Sequence, residues 1–453
     1  MSGDRRSGSG KPMAGQVRAA ALHALHALEK EKTWSEQAVK KEIAEKGLER
    51  RDAALLTSLV YGVLQNRRLL DFYIVQVSGK GMNRFAPVVR DLLRLSFYQA
   101  LFLERVPNHA VVDEAVALAK RRANPQAAGL VNAVLRKLFT TRDALTPPDA
   151  STPSGLAVAT SHPDWFVQKM VDCLGLAKAG EFLLSHNRPA PLCARVNTLL
   201  ADDESVLAEL AAAGVEAEAF AGVPHCLVLK KTGDVAALPA WRAGKIQIQD
   251  PASQIAVAAL GPRPGEHVLD LCSAPGGKAI LAAQWMDNKG VVRAFDLYPH
   301  RVELILKNAV RMNALILSAE TGDGTVLNPA LVGSADRVLC DVPCSGMGVI
   351  RKKPEIRYKT WEEIQDLPVL QGKILKNAAS YLKIHGEMIY STCSVLTEEN
   401  EEVVEAFLAE NDGYSLCPFD APLLGRAEKG MATLWPHVHG TDGFFIARIR
   451  RNR

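Results

Sequence analysis

No Cys-x-x-Cys pair occurs in this chain, although eight cysteines lie scattered at 173, 193, 226, 272, 340, 344, 393 and 417. Zinc ligands usually come at that close spacing, so no metal is expected. A chain of 453 residues needs no disulfide staples, and reduced cysteines in a cytoplasm fit better. No apolar run approaches the ~20 residues that span a bilayer, so no membrane partner is expected. Residues 1–15 carry Arg5, Arg6 and Lys11 but no apolar h-region. That favours a flexible polar arm over a secretory signal. A large charge excess is missing too. The formal net charge of +4 and pI of about 8.5 permit a nucleic-acid partner without requiring one.

What is present is an ordinary globular composition, 48% hydrophobic and 23% charged, in a chain long enough for about two to four domains. Residues 16–140 are helical in pattern almost throughout. Leu55, Leu56, Leu59, Val60, Val63 and Leu64 recur at helical spacing. Pro87, Pro107 and Pro125 stand at segment starts, where proline is tolerated. This reads as an all-α bundle of about five to seven helices without a plausible catalytic set. Its basic clusters, Arg67-Arg68, Lys120-Arg121-Arg122 and Arg136-Lys137, fit solvated helix faces and phosphate contacts equally well.

The stretch 140–155, TTRDALTPPDASTPSG, is the best linker composition in the chain. A linker is therefore placed at 141–160 and a small α+β subdomain at 161–250. From 251 to 453 strand and helix patterns alternate, the signature of an α/β domain with a parallel sheet. A strand is expected at 267–271, a helix opening at 279, a strand at 291–295 ending in Asp296, and a long helix at 361–382. Between the first strand and helix lies Cys272-Ser273-Ala274-Pro275-Gly276-Gly277-Lys278. It is neither a Walker P-loop nor G-x-G-x-x-G. Its glycines let backbone N–H groups approach a ligand closely. Asp296 ends the next strand, where an acid commonly holds ribose hydroxyls. The domain should therefore bind a nucleoside-containing cofactor.

Two thiols stand at expected strand ends. Cys344 lies in Asp341-Val342-Pro343-Cys344-Ser345-Gly346, and Cys393 in Ser391-Thr392-Cys393-Ser394. Thiols delivered there, one beside a carboxylate, suit nucleophilic attack on an electron-poor carbon. Residue order alone lets either attack. Cys173, Cys193, Cys226, Cys340 and Cys417 read instead as small buried hydrophobes. Arg351, Lys352 and Lys353 follow the Pro-Cys loop and read as phosphate contacts.

DLCSAPGGK (270–278), GDG (322–324), DVPCSGMGVIRKKPEIR (341–357), STCS (391–394) and HGTDGFF (439–445) resemble, in order, the motifs of the RNA 5-methylcytosine methyltransferase family. Ser273 and Val342 stand where that family often has alanine. Residues 51–71, 106–120 and 129–139 resemble a NusB-like RNA-binding domain. The resemblance implies a multidomain protein: an all-α NusB-like bundle, a small α+β middle subdomain and a Rossmann-like α/β methyltransferase domain. It implies S-adenosylmethionine as cofactor, and cytosine C5 in 16S ribosomal RNA as substrate. It also implies a monomer in the cytoplasm. Cys393 takes the nucleophile role, adding to C6. Cys344 assists product release. Asp341 contacts N3 and the exocyclic amine, protonated or sharing a proton with N3. Lys278 holds a carboxylate or lowers a thiol's pKa. The backbone of Cys272, Ser273, Ala274, Pro275, Gly276, Gly277 and Lys278 holds the methionine moiety, with Asp341 alongside. Asp296 binds the ribose and Asp323 the adenine amine. The same chemistry on transfer RNA is one alternative. A non-catalytic RNA-binding assembly factor with a retained cofactor pocket is another, and it would need neither thiol. Methyl transfer without covalent catalysis would not need the pair either.

Overall fold

A computed structural model describes residues 14–31 and 33–453. The arm expected at 1–15 therefore lies, up to residue 13, outside the described residues. By its contacts the chain divides into two compact units: residues 1–187 with 350–358, and residues 188–349 with 359–453.

The first unit is helical. It contains α1 (Ala14–Glu31), α2 (Ser35–Lys46), α3 (Arg50–Ser78), α4 (Pro87–Phe102), α5 (Asn108–Arg122) and α6 (Pro125–Thr141). α3 buries Leu56, Leu59, Val60, Val63, Leu70 and Ile74, a stripe with helical spacing that faces the core. It ends at Gly79, whose φ of 69° suits a left-handed cap. Pro87 and Pro125 open α4 and α6 as expected, and the Asn124 side chain caps the Ala127 N–H.

The expected linker is shorter than its composition implied. Residues 153–160 form α7 (Pro153–Thr160), with Leu156 and Ala157 buried. The Thr152 hydroxyl accepts the Gly155 N–H and Pro153 sits in the first turn. Thr-Pro here is a helix start rather than a chain breaker. α8 (Asp164–Leu174) and α9 (Leu176–Ser185) follow, and by contacts they group with the helical unit.

Residues 350–358 belong to this unit although they follow the Pro-Cys loop in sequence. Glu355 accepts the Ser35 N–H at 3.0 Å and its hydroxyl at 2.8 Å. The fully buried Arg357 donates to Gln65 O, Thr160 O and Asn187 Oδ1. Arg351 is buried, which corrects the phosphate reading for that residue; Lys352 is half-buried, and Lys353 is exposed with its ammonium 5.2 Å from the Trp34 ring. Arg67 and Arg68 are committed within the unit as well. Arg67 stacks on Tyr358, and Arg68 holds the Ser161 hydroxyl and Asp164. Lys120, Arg121, Arg122, Arg136 and Lys137 stay exposed.

The second unit opens with β1 (Leu192–Val196), α10 (Asp203–Ala212), β2 (Glu216–Ala219), β3 (Cys226–Lys230), α11 (Pro239–Arg242) and β4 (Ile246–Ile248). Its four strands form an antiparallel sheet in the order β2-β3-β1-β4. Then come α12 (Pro251–Leu260), β5 (His267–Asp270), α13 (Gly277–Trp285), β6 (Val291–Asp296), α14 (Pro299–Arg311), β7 (Leu317–Thr321), β8 (Ala335–Asp341), α15 (Leu367–Ser380), β9 (Leu382–Thr392) and α16 (Glu401–Glu410). The end of the chain adds β10 (Tyr414–Leu416), β11 (Phe419–Ala421), β12 (Gly425–Ala427), β13 (Met431–Leu434), α17 (Pro436–His439) and β14 (Phe444–Arg451).

The large sheet runs β10-β14-β9-β8-β5-β6-β7, with β13 also on β14. β5 to β9 pair in parallel, and β14 joins β9 antiparallel. The helix expected at 361–382 is α15, which starts only at Leu367. Pro368 lies in its first turn, where its missing N–H has no intrahelical partner to lose. Cys173, in the last turn of α8, is exposed, contrary to its reading as a buried hydrophobe. No helix among the described residues is long and apolar enough to cross a membrane.

Candidate active site

From β5 the sheet grows one way through β6 and β7, and the other way through β8 and β9. The crevice where strand order reverses, beyond the strands' carboxyl ends, is where such sheets bind ligands. β5 ends at Asp270 and β8 at Asp341. A cavity of about 240 Å³ opens there. Cys272, Ser273, Ala274, Pro275, Gly277, Lys278, Asp270 and Asp341 line it. Gly276 has φ 95°, and a Cβ there would meet Ile305 Cγ2 at 3.1 Å, so the turn into α13 requires glycine.

The other two acids border this loop differently. Asp296 Oδ2 accepts the Ala274 N–H at 3.2 Å, and Oδ1 accepts the Tyr298 N–H at 3.3 Å. Asp296 therefore shapes the loop as well as ending β6. Asp323 stands exposed in the turn after β7. Its Oδ1 accepts the Thr325 hydroxyl and N–H at 2.7 and 2.8 Å, which hold its carboxyl below the usual range.

Asp270 was not singled out in the sequence. It is fully buried, and neither of its oxygens makes a well-formed hydrogen bond among the described residues, with the Ser273 hydroxyl and the Cys272 backbone close enough to act on its charge. Burial pushes its carboxyl up to about 7, against the Ser273 hydroxyl and the Lys278 ammonium; the Asp341 charge adds to the rise. The available signal was an acid closing a strand of otherwise apolar residues. A carboxylate left unpaired at that depth suits a ligand that carries positive charge.

The pH consequence has a definite sign. With a folded pKa of about 7 against 3.8 unfolded, the native chain holds this proton more tightly. Stability from this group is full below about pH 4 and is lost as pH rises toward 7. Asp270→Asn removes the titration. Its stability relative to the parent should therefore rise by up to roughly 4 kcal/mol between pH 4 and pH 8, read from denaturant midpoints of the ligand-free protein. A gap that stays flat across that window contradicts the burial argument.

Lys278 reaches from α13 to Asp341, with Nζ 2.6 Å from Oδ2. The Ser391 hydroxyl donates to the other oxygen at 2.7 Å. Burial works against the lysine's charge, but the Asp341 pair outweighs it, with Asp270 adding, so its pKa lies above the usual value. Of the two roles expected for Lys278, the geometry selects holding a carboxylate. Both Asp341 oxygens therefore face donors, the Lys278 ammonium and the Ser391 hydroxyl.

The thiols meet because β8 and β9 run parallel with Asp341 opposite Ser391. The residues just past that pair are thereby brought side by side. Cys344 Sγ lies 3.2 Å from Cys393 Sγ, and both are free thiols. The hydrogen bond to Cys393 pushes the Cys344 thiol well up. Burial and the charges of Cys393, Glu399 and Asp341 add to this. Cys344 is thereby held as a protonated thiol beside Cys393.

Comparison with known proteins accords with this geometry. The family model described as 16S rRNA methyltransferase RsmB/F matches residues 257–450. The NusB family matches residues 15–139, and an RsmF/B-like ferredoxin-like domain matches 162–236. A probable ribosomal RNA small subunit methyltransferase B of Bacillus subtilis (strain 168) is 37% identical over 449 residues, 96% of this chain and 98% of that protein. Ribosomal RNA small subunit methyltransferase B of Escherichia coli O1:K1 / APEC is 32% identical, over 88% of this chain and 90% of its own. The crystal structure of PH0851 superposes with a TM-score of 0.82 at 29% identity, over 97% of this chain and all of that one.

Proposed function

The chain belongs to the 16S rRNA methyltransferase RsmB/F family, and on that premise we propose that it methylates C5 of a cytosine in small-subunit ribosomal RNA through a covalent adduct on Cys393. S-adenosylmethionine is its cofactor. When bound, it supplies an electrophilic methyl group. The residues present fit it: a glycine-bearing loop, the buried unpaired Asp270 for a cationic ligand, and Asp296 at a strand end for ribose hydroxyls.

One observation carries the reading: two thiols 3.2 Å apart with the proton held on one of them. Cytosine C5 is a poor nucleophile. Cys393 Sγ gives a lone pair to C6, and the C5=C6 pair shifts so that C5 becomes electron-rich, splitting one hard step into easier ones. Lys278, through Asp341, stands ready to share a proton at N3, where charge accumulates. After methylation the C5–H bond breaks, its pair restores C5=C6, and the C6–S pair returns to Cys393. With Cys393 bonded to carbon, the hydrogen bond and charge that kept the proton on Cys344 are gone. Cys344 can then give its proton to solvent and, as a thiolate, take the C5 proton.

The target base must leave any helix to reach such a site. The exposed Lys120, Arg121, Arg122, Arg136 and Lys137 on α5 and α6 are suited to flanking phosphates. The test uses methyl-labelled S-adenosylmethionine with undermodified small-subunit ribosomal RNA, followed by digestion to nucleosides. Label in 5-methylcytidine is expected. Label in a methylated adenosine, in protein, or only on added transfer RNA overturns the proposal.

A further inference from the structure

Each of the two cysteines is followed by a serine, Ser345 and Ser394, and one buried carboxylate holds both. Glu399 is 2% exposed. Its Oε1 accepts the Ser345 hydroxyl, and the Ser394 hydroxyl at 2.7 Å. Its Oε2 accepts the Ser345 N–H at 2.8 Å and Gln371 Nε2 at 2.9 Å. Gln371 Nε2 also lies 2.9 Å from Pro343 O. The next residue, Asn400, extends the grip: its Oδ1 accepts the Thr392 hydroxyl and its Nδ2 donates to Ser394 O. The motif that holds the thiols is thus completed by a glutamate that follows both in sequence.

The grip is asymmetric. The Thr-Cys loop is fixed by β9, β14 and Asn400 as well as by Glu399. On the Pro-Cys loop, Glu399 binds the N–H and the hydroxyl of the residue next to Cys344, and through Gln371 it supports Pro343. We propose that Glu399 is the positioning residue for product release, fixing the Cys344 loop so that its thiol faces Cys393. This rests on the covalent reading above. The titratable groups facing Cys344 are Cys393, Glu399, Asp341 and Tyr390. Of these, Glu399 alone binds the neighbouring backbone as well.

Glu399→Ala takes both acceptor oxygens from the cluster. The Thr-Cys loop keeps Asn400 and its strand pairing, so the Cys344 side is the one released. Single-turnover methyl transfer should stay within about fivefold of the parent, while steady-state kcat falls by roughly 100-fold and the RNA adduct accumulates, a loss typical of acid–base assistance. KM for RNA should fall with kcat, leaving kcat/KM near the parent's. Independently of RNA, iodoacetamide labelling of Cys344, followed by peptide mapping, should speed up by about tenfold at fixed pH as a nearby negative charge is lost. Ser394→Ala, which cuts the Thr-Cys side, should leave Cys344 labelling within about twofold of the parent. Equal loss of single-turnover and steady-state rates overturns the proposal. If Cys344→Ala forms no adduct, the covalent reading fails, and the labelling arm alone decides for or against Glu399. If Glu399→Ala does not fold, Ser345→Ala carries the same test, with the same direction required.

Discussion

Replacing Cys393 with alanine is expected to lower methyl transfer by roughly 10⁴-fold or more, the scale seen when a covalent nucleophile is removed. That is about 5.5 kcal/mol of transition-state stabilisation at 1.4 kcal/mol per tenfold. Nothing else at the site offers to replace it. The neighbouring Cys344 holds its proton, and Cys340 and Cys272 are pushed up by burial as well. The side chain stands on the loop after β9 and does not line the cavity at 272–278, so cofactor affinity should change by less than about threefold. Equilibrium binding of S-adenosylmethionine and initial rates on ribosomal RNA check both halves. A variant that retains turnover within tenfold rules out the covalent route.

Cys344→Ala should do something different. Addition to C6 and methylation need only Cys393, so the first turnover proceeds. Release needs a group to take the C5 proton, and alanine offers none. Turnover should fall by roughly 10²- to 10³-fold, as when a general base is lost. The protein should accumulate bound to RNA in a complex that survives denaturing electrophoresis and disappears on ribonuclease treatment. The two variants thereby give opposite gels. Adduct in Cys393→Ala and none in Cys344→Ala would exchange the roles of the two sulfurs. Removing Cys344 also takes away the hydrogen-bond partner of the Cys393 sulfur, so a modest slowing of the first turnover accompanies the trapping.

The site was partly legible in the sequence because its parts are local. A strand ending in polar residues, a glycine-bearing turn and an acid at the next strand end are each written within about ten residues, and parallel sheets put ligands at such ends. The linker was misread at 153–160 because proline and threonine mark both loops and helix starts. Their meaning turns on whether Leu156 and Ala157 find a core. Arg351 was misread for a related reason. Charge in a sequence shows no burial, and Arg351 is buried while Lys353 beside it is exposed.

The sequence by itself determined which chemistry is available: two thiols after strands, a lysine on a glycine turn, and acids at strand ends. Tertiary structure decided what these groups do to one another. Strand register set Asp341 opposite Ser391, and so the sulfurs at 3.2 Å. α13 aimed Lys278 at Asp341, and depth left Asp270 unpaired. The Glu399 clasp joins residues more than fifty positions apart. Protonation depends on distances of a few ångströms and on burial, and both arise only when segments remote in sequence pack together.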